Sequence, residues 1–184
     1  MRKYIKDYIS LFAIAGAVVL LDQWTKSLVR TNLEIGERWA PWPWLLPYVR
    51  IIHWRNTGAA FGIFQNWGDV FMVLAIIVSI GIIVYYPRVP AGHWPLRIAM
   101  GLQLGGAVGN LIDRLTLGHV TDYVSVLNFA VFNVADACIT IGVGILILGI
   151  WIEDRKVKRA ASSSSTEPPP EVEGEGLIEE RRGE

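Results

Sequence analysis

Asn110-Leu111-Ile112-Asp113 closes one apolar run, and Asn133-Val134-Ala135-Asp136 opens the next. Both frames read Asn-x-x-Asp, a spacing that puts the two polar side chains on one helix face. Two antiparallel helices joined by the intervening loop would bring both carboxylates to one depth at one membrane surface. An ionisable group is expensive to keep there, so its default reading is functional. Two of them together point to an acid/base pair that shares a proton.

Outward from these frames, the chain carries four apolar runs, at about 9–29, 70–86, 96–115 and 135–152. Each is close to the roughly 20 residues that cross a bilayer as helix. The 184 residues are 52% apolar and the mean hydropathy is +0.37. A soluble domain has a smaller apolar share, nearer roughly 45–50% with glycine counted in. The expected fold is therefore an all-α membrane protein with four transmembrane helices. Arg2, Lys3 and Lys6 precede the first run as they would in a signal peptide. That run is long, and Asp22-Gln23-Trp24-Thr25-Lys26 is no small-residue cleavage site, so it reads as a retained helix.

The net charge of +0 hides an asymmetry. Residues 160–184 hold seven Glu and two Arg, leaving 15 Lys+Arg against 10 Asp+Glu in residues 1–159. Four spans place Arg2, Lys3, Lys6, Arg88, Arg97, Arg155, Lys156, Lys158 and Arg159 on one side. The positive-inside rule makes that side cytoplasmic, with both termini inside and both Asn-x-x-Asp frames near the opposite face. A basic body of this kind is expected of membrane anchoring and is no argument for nucleic acid. Residues 160–184, rich in Ser, Pro and Glu, read as a disordered acidic cytoplasmic tail after a membrane domain of residues 1–159.

The segment at about 31–69 reads as an extracytoplasmic insertion. Pro41 and Pro43 exclude a long helix from Trp39-Ala40-Pro41-Trp42-Pro43-Trp44, and the tryptophans favour the headgroup level. Tyr48-Val49-Arg50-Ile51-Ile52-His53-Trp54 is β-prone, which predicts a small sheet over the helix ends. Gly101, Gly105 and Gly109 form a stripe of small residues that lets helices approach closely in lipid, helix 4 or helix 1 being the expected neighbour.

Among the remaining polar residues, Asp22 and Lys26 have the i, i+4 spacing of an intrahelical ion pair. That pairing competes with a direct catalytic role. Asp136 is placed to cap a helix as well as to catalyse. Asn56-Thr57-Gly58-Ala59-Ala60-Phe61 combines small residues with an amide that can orient a substrate. Asp122 is a possible third acid or a solvated turn residue. His53, His93 and His119 lack ligand spacing, and Cys138 is alone, so no metal site or disulfide is expected.

Taken in order, these stretches resemble the five motifs of the bacterial lipoprotein signal peptidases. They are Asp22–Lys26, Asn56–Phe61, Gly105–Arg114, Val120–Tyr123 and Phe132–Asp136, and the likeness covers roughly residues 8–153. Tyr123 stands where the family usually has phenylalanine. The resemblance implies an aspartic endopeptidase of the bacterial cytoplasmic membrane. Such enzymes cut signal peptides from prolipoproteins just before a cysteine bearing a diacylglyceryl group, and the cyclic peptide globomycin inhibits them. It implies a small extracytoplasmic β-cradle and a helix over the site. Carried over, Asp113 and Asp136 are the expected catalytic dyad. Asp22, Lys26, Asn56, Gly58, Asn110, Arg114, Asn133 and Ala135 are expected to support it or touch substrate, and no cofactor is expected. Two other classes compete: a Mg²⁺-dependent lipid phosphotransferase, which wants more clustered acids, and a proton-coupled carrier, which wants matching halves.

Overall fold

The computed structural model describes residues 2–58, 64–90, 92–127 and 129–164. The chain divides into two compact units at Gly149/Ile150. The first unit holds helices α1 (Arg2–Asn32), α2 (Gly68–Tyr85), α3 (Trp94–Leu117) and the start of α4 (Val134–Ser164), with strands β1 (Arg38–Trp39), β2 (Val49–Asn56) and β3 (Val120–Val126). In the second unit α4 continues, with Lys158 paired to Asp154 at 2.7 Å and Arg155 over the Trp151 ring at 3.8 Å. Residues 160–164, read from sequence as the start of the tail, are the last turn of α4. Residues 165–184 lie outside the described residues.

Among the described residues, three helical stretches are long and apolar enough to cross a membrane: Tyr8–Asn32, Gly68–Arg88 and Val134–Ile152. Isoleucine, valine and leucine side chains stand exposed along one broad face of α2, as lipid contact requires, while Ser79 and Ile82 on the other are buried. The fourth expected span, α3, is of another kind. Its 24 residues reach about 36 Å at 1.5 Å per residue, but glycines, Asn110 and Asp113 dilute its hydropathy. Its Gly101, Gly105, Gly106 and Gly109, with Ala99, Met100, Leu104 and Ala107, are buried.

The covering is set by glycine. On α1, Leu11, Ala15, Val18, Asp22, Lys26 and Val29 are all buried and repeat every three or four residues, one helix face. That face lies on the Gly101–Gly105–Gly109 stripe of α3. A Cβ at Gly101 would come within 2.7 Å of Ile14, at Gly105 within 2.7 Å of the Ala15 carbonyl oxygen, and at Gly109 within 2.6 Å of Asp22 Oδ2. Helix 1 is thus the neighbour of the stripe. Gly106 points the other way, where a Cβ would meet the Ala135 carbonyl of α4 at 2.5 Å. From the α4 side, Gly142 leaves the same kind of space for the Ala99 carbonyl, 2.8 Å from its would-be Cβ. At the end where α1 and α3 begin, Leu11, Tyr86, Met100 and Leu104 close an apolar core. The Tyr86 hydroxyl there shares a hydrogen bond with Ser10 at 2.8 Å.

At the end of α3, the strands form an antiparallel sheet in the order β1-β2-β3. Arg38 pairs with Ile52, and β2 and β3 pair from Val49↔Val126 to Asn56↔Val120, with an irregularity between Ile51 and Trp54. β3 packs on both α1 and α3. Gly118 makes the turn from α3 into β3 possible: its φ of +76° is left-handed, and its N–H caps the Arg114 carbonyl. Between β1 and β2, Pro43–Leu45 is a single 3-10 turn, and Trp42 stacks on Trp44 at 6.3 Å. Trp39, Trp42, Trp44 and Trp54 are exposed, as aromatic anchors at a membrane interface are. Residues 57–58 and 64–67, between β2 and α2, are bends, turns and irregular chain. Ala59, Ala60 and Phe61 of the second motif lie outside the described residues.

Gly105→Leu should overpack the α1–α3 contact, a change that costs about 1–3 kcal/mol or more. Gly144→Leu, where a Cβ meets nothing within 4 Å, should be tolerated. Thermal unfolding of both variants in detergent checks this; equal melting temperatures would show that the stripe is not a packing surface.

Candidate active site

Lys26 lies at the centre of the site, fully buried in mid-helix. Its ammonium contacts Asp22 Oδ2 at 2.8 Å and Asp113 Oδ2 at 3.3 Å, and it donates to Asn110 Oδ1 at 2.9 Å. All three donor positions are therefore used by the protein, as a buried ammonium needs. Asp22 spends its other oxygen on α4, where Oδ1 accepts the Ala135 N–H at 3.0 Å. A carboxylate from α1 thus caps the first turn of α4, where the dipole favours negative charge.

Asn133 is the N-cap of α4. Its Oδ1 accepts from the Asp136 N–H at 2.9 Å, and Asp136 Oδ2 accepts from the Asn133 N–H at 3.2 Å, a reciprocal capping box built with Asp. The Asn133 side-chain amide also donates to Asp122 Oδ1 at 2.7 Å and to Asn110 Oδ1 at 3.1 Å. Asn110 in turn donates to Asp136 Oδ1 at 2.8 Å. Asn56 Nδ2 donates to Asp122 Oδ2 at 2.8 Å, while its own Oδ1 accepts the Gly58 N–H. Asp122 and Asp136 are thus held by the same asparagine and line the same cavity, of about 540 Å³. Asn56, Gly58, Asn110 and Arg114 line it too, against an apolar wall that includes Phe132 and Ile139.

Asp113 is placed differently. Its carboxylate is 1% exposed and is absent from the cavity wall. Oδ2 accepts the Thr121 N–H at 2.9 Å as well as facing Lys26. Oδ1 takes Gln23 Nε2 at 3.1 Å and Arg30 Nη1 at 3.4 Å. A carboxylate with two cations and two amide N–H donors has no lone pair directed at a substrate. The expectation that Asp113 faces Asp136 gives way to this geometry: the acid that shares the cavity with Asp136 is Asp122. A loop aspartate is usually solvated, but Asp122 lies within β3 and is 1% exposed. Burial first, then the negative charge of Asp136, pushes the Asp122 carboxyl up to about 7, against the pull of its amide donors.

Gln23 and Arg30 stand outside the residues that the sequence motifs mark for the site, yet both reach Asp113. Both come from α1; Arg30 also donates to Thr121 Oγ1 at 3.2 Å. The cluster Asp113, Arg30 and Thr121 therefore fixes the start of β3, one residue before Asp122. Tyr123, the departure from the family pattern, donates its hydroxyl to Thr25 Oγ1 of α1 at 2.6 Å, an anchor that phenylalanine cannot make. Among the described residues no group of three or more His, Cys, Asp or Glu could hold a metal ion, and Cys138 is half-buried and free.

A helical membrane bundle with buried carboxylates opening on a cavity beneath a small sheet defines a membrane-embedded enzyme. The chain belongs to the signal peptidase II family: the family model described as signal peptidase (SPase) II matches residues 14–152. It is 43% identical to a lipoprotein signal peptidase of Shouchella clausii over 151 residues, 81% of this chain and 97% of that one. It is 39% identical to that of Mesorhizobium japonicum over 136 residues, 71% and 79% of the two chains. Two solved structures described as bacterial membrane enzymes superpose on it. One has a TM-score of 0.70 at 29% identity, covering 89% of this chain and 94% of its own; the other 0.68 at 32%, covering 76% and 91%.

Removing Lys26 leaves the buried Asp22 carboxylate without a cation and Asp113 with only the longer Arg30 contact, a loss of about 3–5 kcal/mol. Lys26→Met should therefore lower the melting temperature sharply, and Arg30→Met much less, because Arg30 is partly exposed and its contact is longer. A Lys26→Met protein that melts with the parent would remove the ammonium from the centre of the fold.

Proposed function

We propose that the protein is an aspartic endopeptidase that releases the signal peptide of diacylglyceryl-modified prolipoproteins, cutting before the modified cysteine, with Asp122 and Asp136 as its acid/base pair. The observation that carries this reading is the joint attachment of both carboxylates to Asn133 on the wall of one cavity. Asp113 and Asp22 serve as positioning residues that hold β3 and the start of α4.

With Asp122 titrating at about 7, the pair holds one proton at neutral pH. Ionised Asp136 takes a proton from water as the water oxygen attacks the scissile carbonyl carbon. Protonated Asp122 donates to the carbonyl oxygen; the resulting gem-diol collapses as Asp136 gives the water-derived proton to the leaving amine nitrogen and Asp122 takes a proton back from a diol hydroxyl, which restores the pair. No metal and no covalent intermediate enter these steps, so turnover should survive EDTA. Arg114, Asn110 and Asn56, which also line the cavity, are the groups placed to hold the substrate backbone, and globomycin should compete for the same space. The charge distribution supports an orientation with both ends of the chain in the cytoplasm, the sheet and cavity near the outer face, and α3 as the fourth span.

Asp122→Asn and Asp136→Asn should each abolish cleavage of a lipid-modified prolipoprotein by purified protein, whereas Asp113→Asn should keep measurable turnover in a less stable protein. Full loss with Asp113→Asn at unchanged stability, beside turnover by Asp122→Asn, would restore Asp113 to the dyad. The folded-state pKa of Asp122 lies above its ordinary value, so its proton is retained up to about 7 and lost above it. kcat/KM should accordingly fall on the alkaline side of about 7. The same proton makes the folded state lose stability as pH rises from about 4 to about 7, because over that window the folded protein binds it and the unfolded chain does not. A kcat/KM flat from pH 6 to 9 would rule out Asp122 as the acid.

A further inference from the structure

A second cavity, of about 260 Å³, lies between α2, α3 and α4. It shares Asn110, Arg114 and Ile139 with the cavity of the acid pair. Arg114 stands at the junction, its guanidinium carbon 5.6 Å from the centre of the Phe71 ring. The α2 wall is apolar, formed by Phe71, Leu74, Ala75 and Val78. On the α3 side Gln103 joins Asn110 and Arg114 as a polar group. Its Nε2 is buried without a hydrogen-bond partner, and it is seated where Gly142 of α4 leaves room, 3.3 Å from the Cβ that glycine lacks. A buried amide N–H without a partner is costly, above all in a membrane helix, and a ligand that accepts a hydrogen bond there recovers the cost.

The polar lining is richer in donors than in acceptors. Arg114 and Gln103 bring N–H groups, while Asn110 Oδ1 is already occupied by Lys26 and Asn133. A peptide segment would add backbone N–H groups that need acceptors. An ester-linked acyl chain brings methylenes for the α2 wall and a carbonyl that only accepts. Resting on the peptidase reading, we infer that this cavity is the subsite for an acyl chain of the substrate's glyceryl lipid, and that Gln103 Nε2 donates to its ester carbonyl. The junction at Arg114 then lets one substrate place its lipid here and its scissile bond beside Asp122 and Asp136.

The test uses the full chain carrying Asp136→Asn, in lipid nanodiscs, with a cysteine peptide bearing a dipalmitoylglyceryl group and a photoreactive diazirine within one acyl chain. Crosslinks should fall on Phe71, Leu74 or Val78. Gln103→Leu should weaken binding of this diester probe roughly tenfold, the loss of one hydrogen bond. The dialkyl ether analogue, lacking the carbonyl, should bind the parent about as weakly. Gln103→Met, a flexible isostere without the unpaired amide, should bind equally poorly and melt no lower than the parent. Crosslinks confined to other helices, or a diester affinity unchanged in both Gln103 variants, would overturn the assignment. Equal displacement of the probe by a plain diacyl phospholipid would overturn it in favour of a site for bulk lipid. Prolipoprotein cleavage by the chain with Asp136 intact is followed in parallel. Cleavage without α2 crosslinks defeats the lipid subsite alone, whereas α2 crosslinks without cleavage defeat the peptidase reading and keep the subsite.

Discussion

A single buried ammonium organises this protein. Lys26 has no water to solvate it, so the fold must supply oxygens from its surroundings, and it does so from two helices: Asp22 on its own, Asn110 and Asp113 on α3. The demand fixes how far α1 and α3 can slide or rotate past one another. The glycine stripe makes that demand satisfiable, since a Cβ at Gly109 would occupy the place of Asp22 Oδ2. Close packing and charge compensation are therefore one constraint here.

From that centre the order spreads to the two cavity carboxylates by short relays. Asp22 holds the first turn of α4 through the Ala135 N–H, and Asp113 holds β3 through the Thr121 N–H. Asp136 is one residue beyond the first anchor and Asp122 one residue beyond the second. Both are then tied to Asn133. Each carboxylate on the cavity thus has a counterpart behind it that is absent from the cavity wall, and the rear pair holds the cations while the front pair is held by amides. In the proposed mechanism, that division is what leaves the front pair free to exchange a proton.

Much of this was legible in the chain. The apolar runs, the β-prone 48–54 segment, the proline break at 41–43 and the small-residue stripe each follow from local rules of periodicity and backbone sterics. The five motifs in order carry the family. The choice among acids was not legible in the same way. The matched Asn-x-x-Asp frames are a helical pattern, and a helical pattern specifies a face without naming what lies opposite. Asn110 and Asp113 do share a face, but one turns to Asp136 and the other to Lys26 and Arg30. A signal did exist in the spacing of Lys26 and Arg30 on α1. Two cations one turn apart with only Asp22 beside them call for another carboxylate from the bundle, and Asp113 is the aspartate that α3 can offer. Gln103 left no such trace, because a lone glutamine in a glycine-rich helix has meaning only once Gly142 and the α2 wall are opposite it.

The i, i+4 spacing of Asp22 and Lys26 also bears on how the chain enters the membrane. Lys26 finds Asn110 only 84 residues later in the sequence. At the roughly 5–20 residues per second of synthesis, that is about 4–17 s during which α1 is in the bilayer without α3. Two isolated charges could not wait there, but a pair 2.8 Å apart on adjacent turns of one helix arrives already neutralised. The first helix is thus self-sufficient while it waits, and the same lysine is then shared with α3 when that helix arrives.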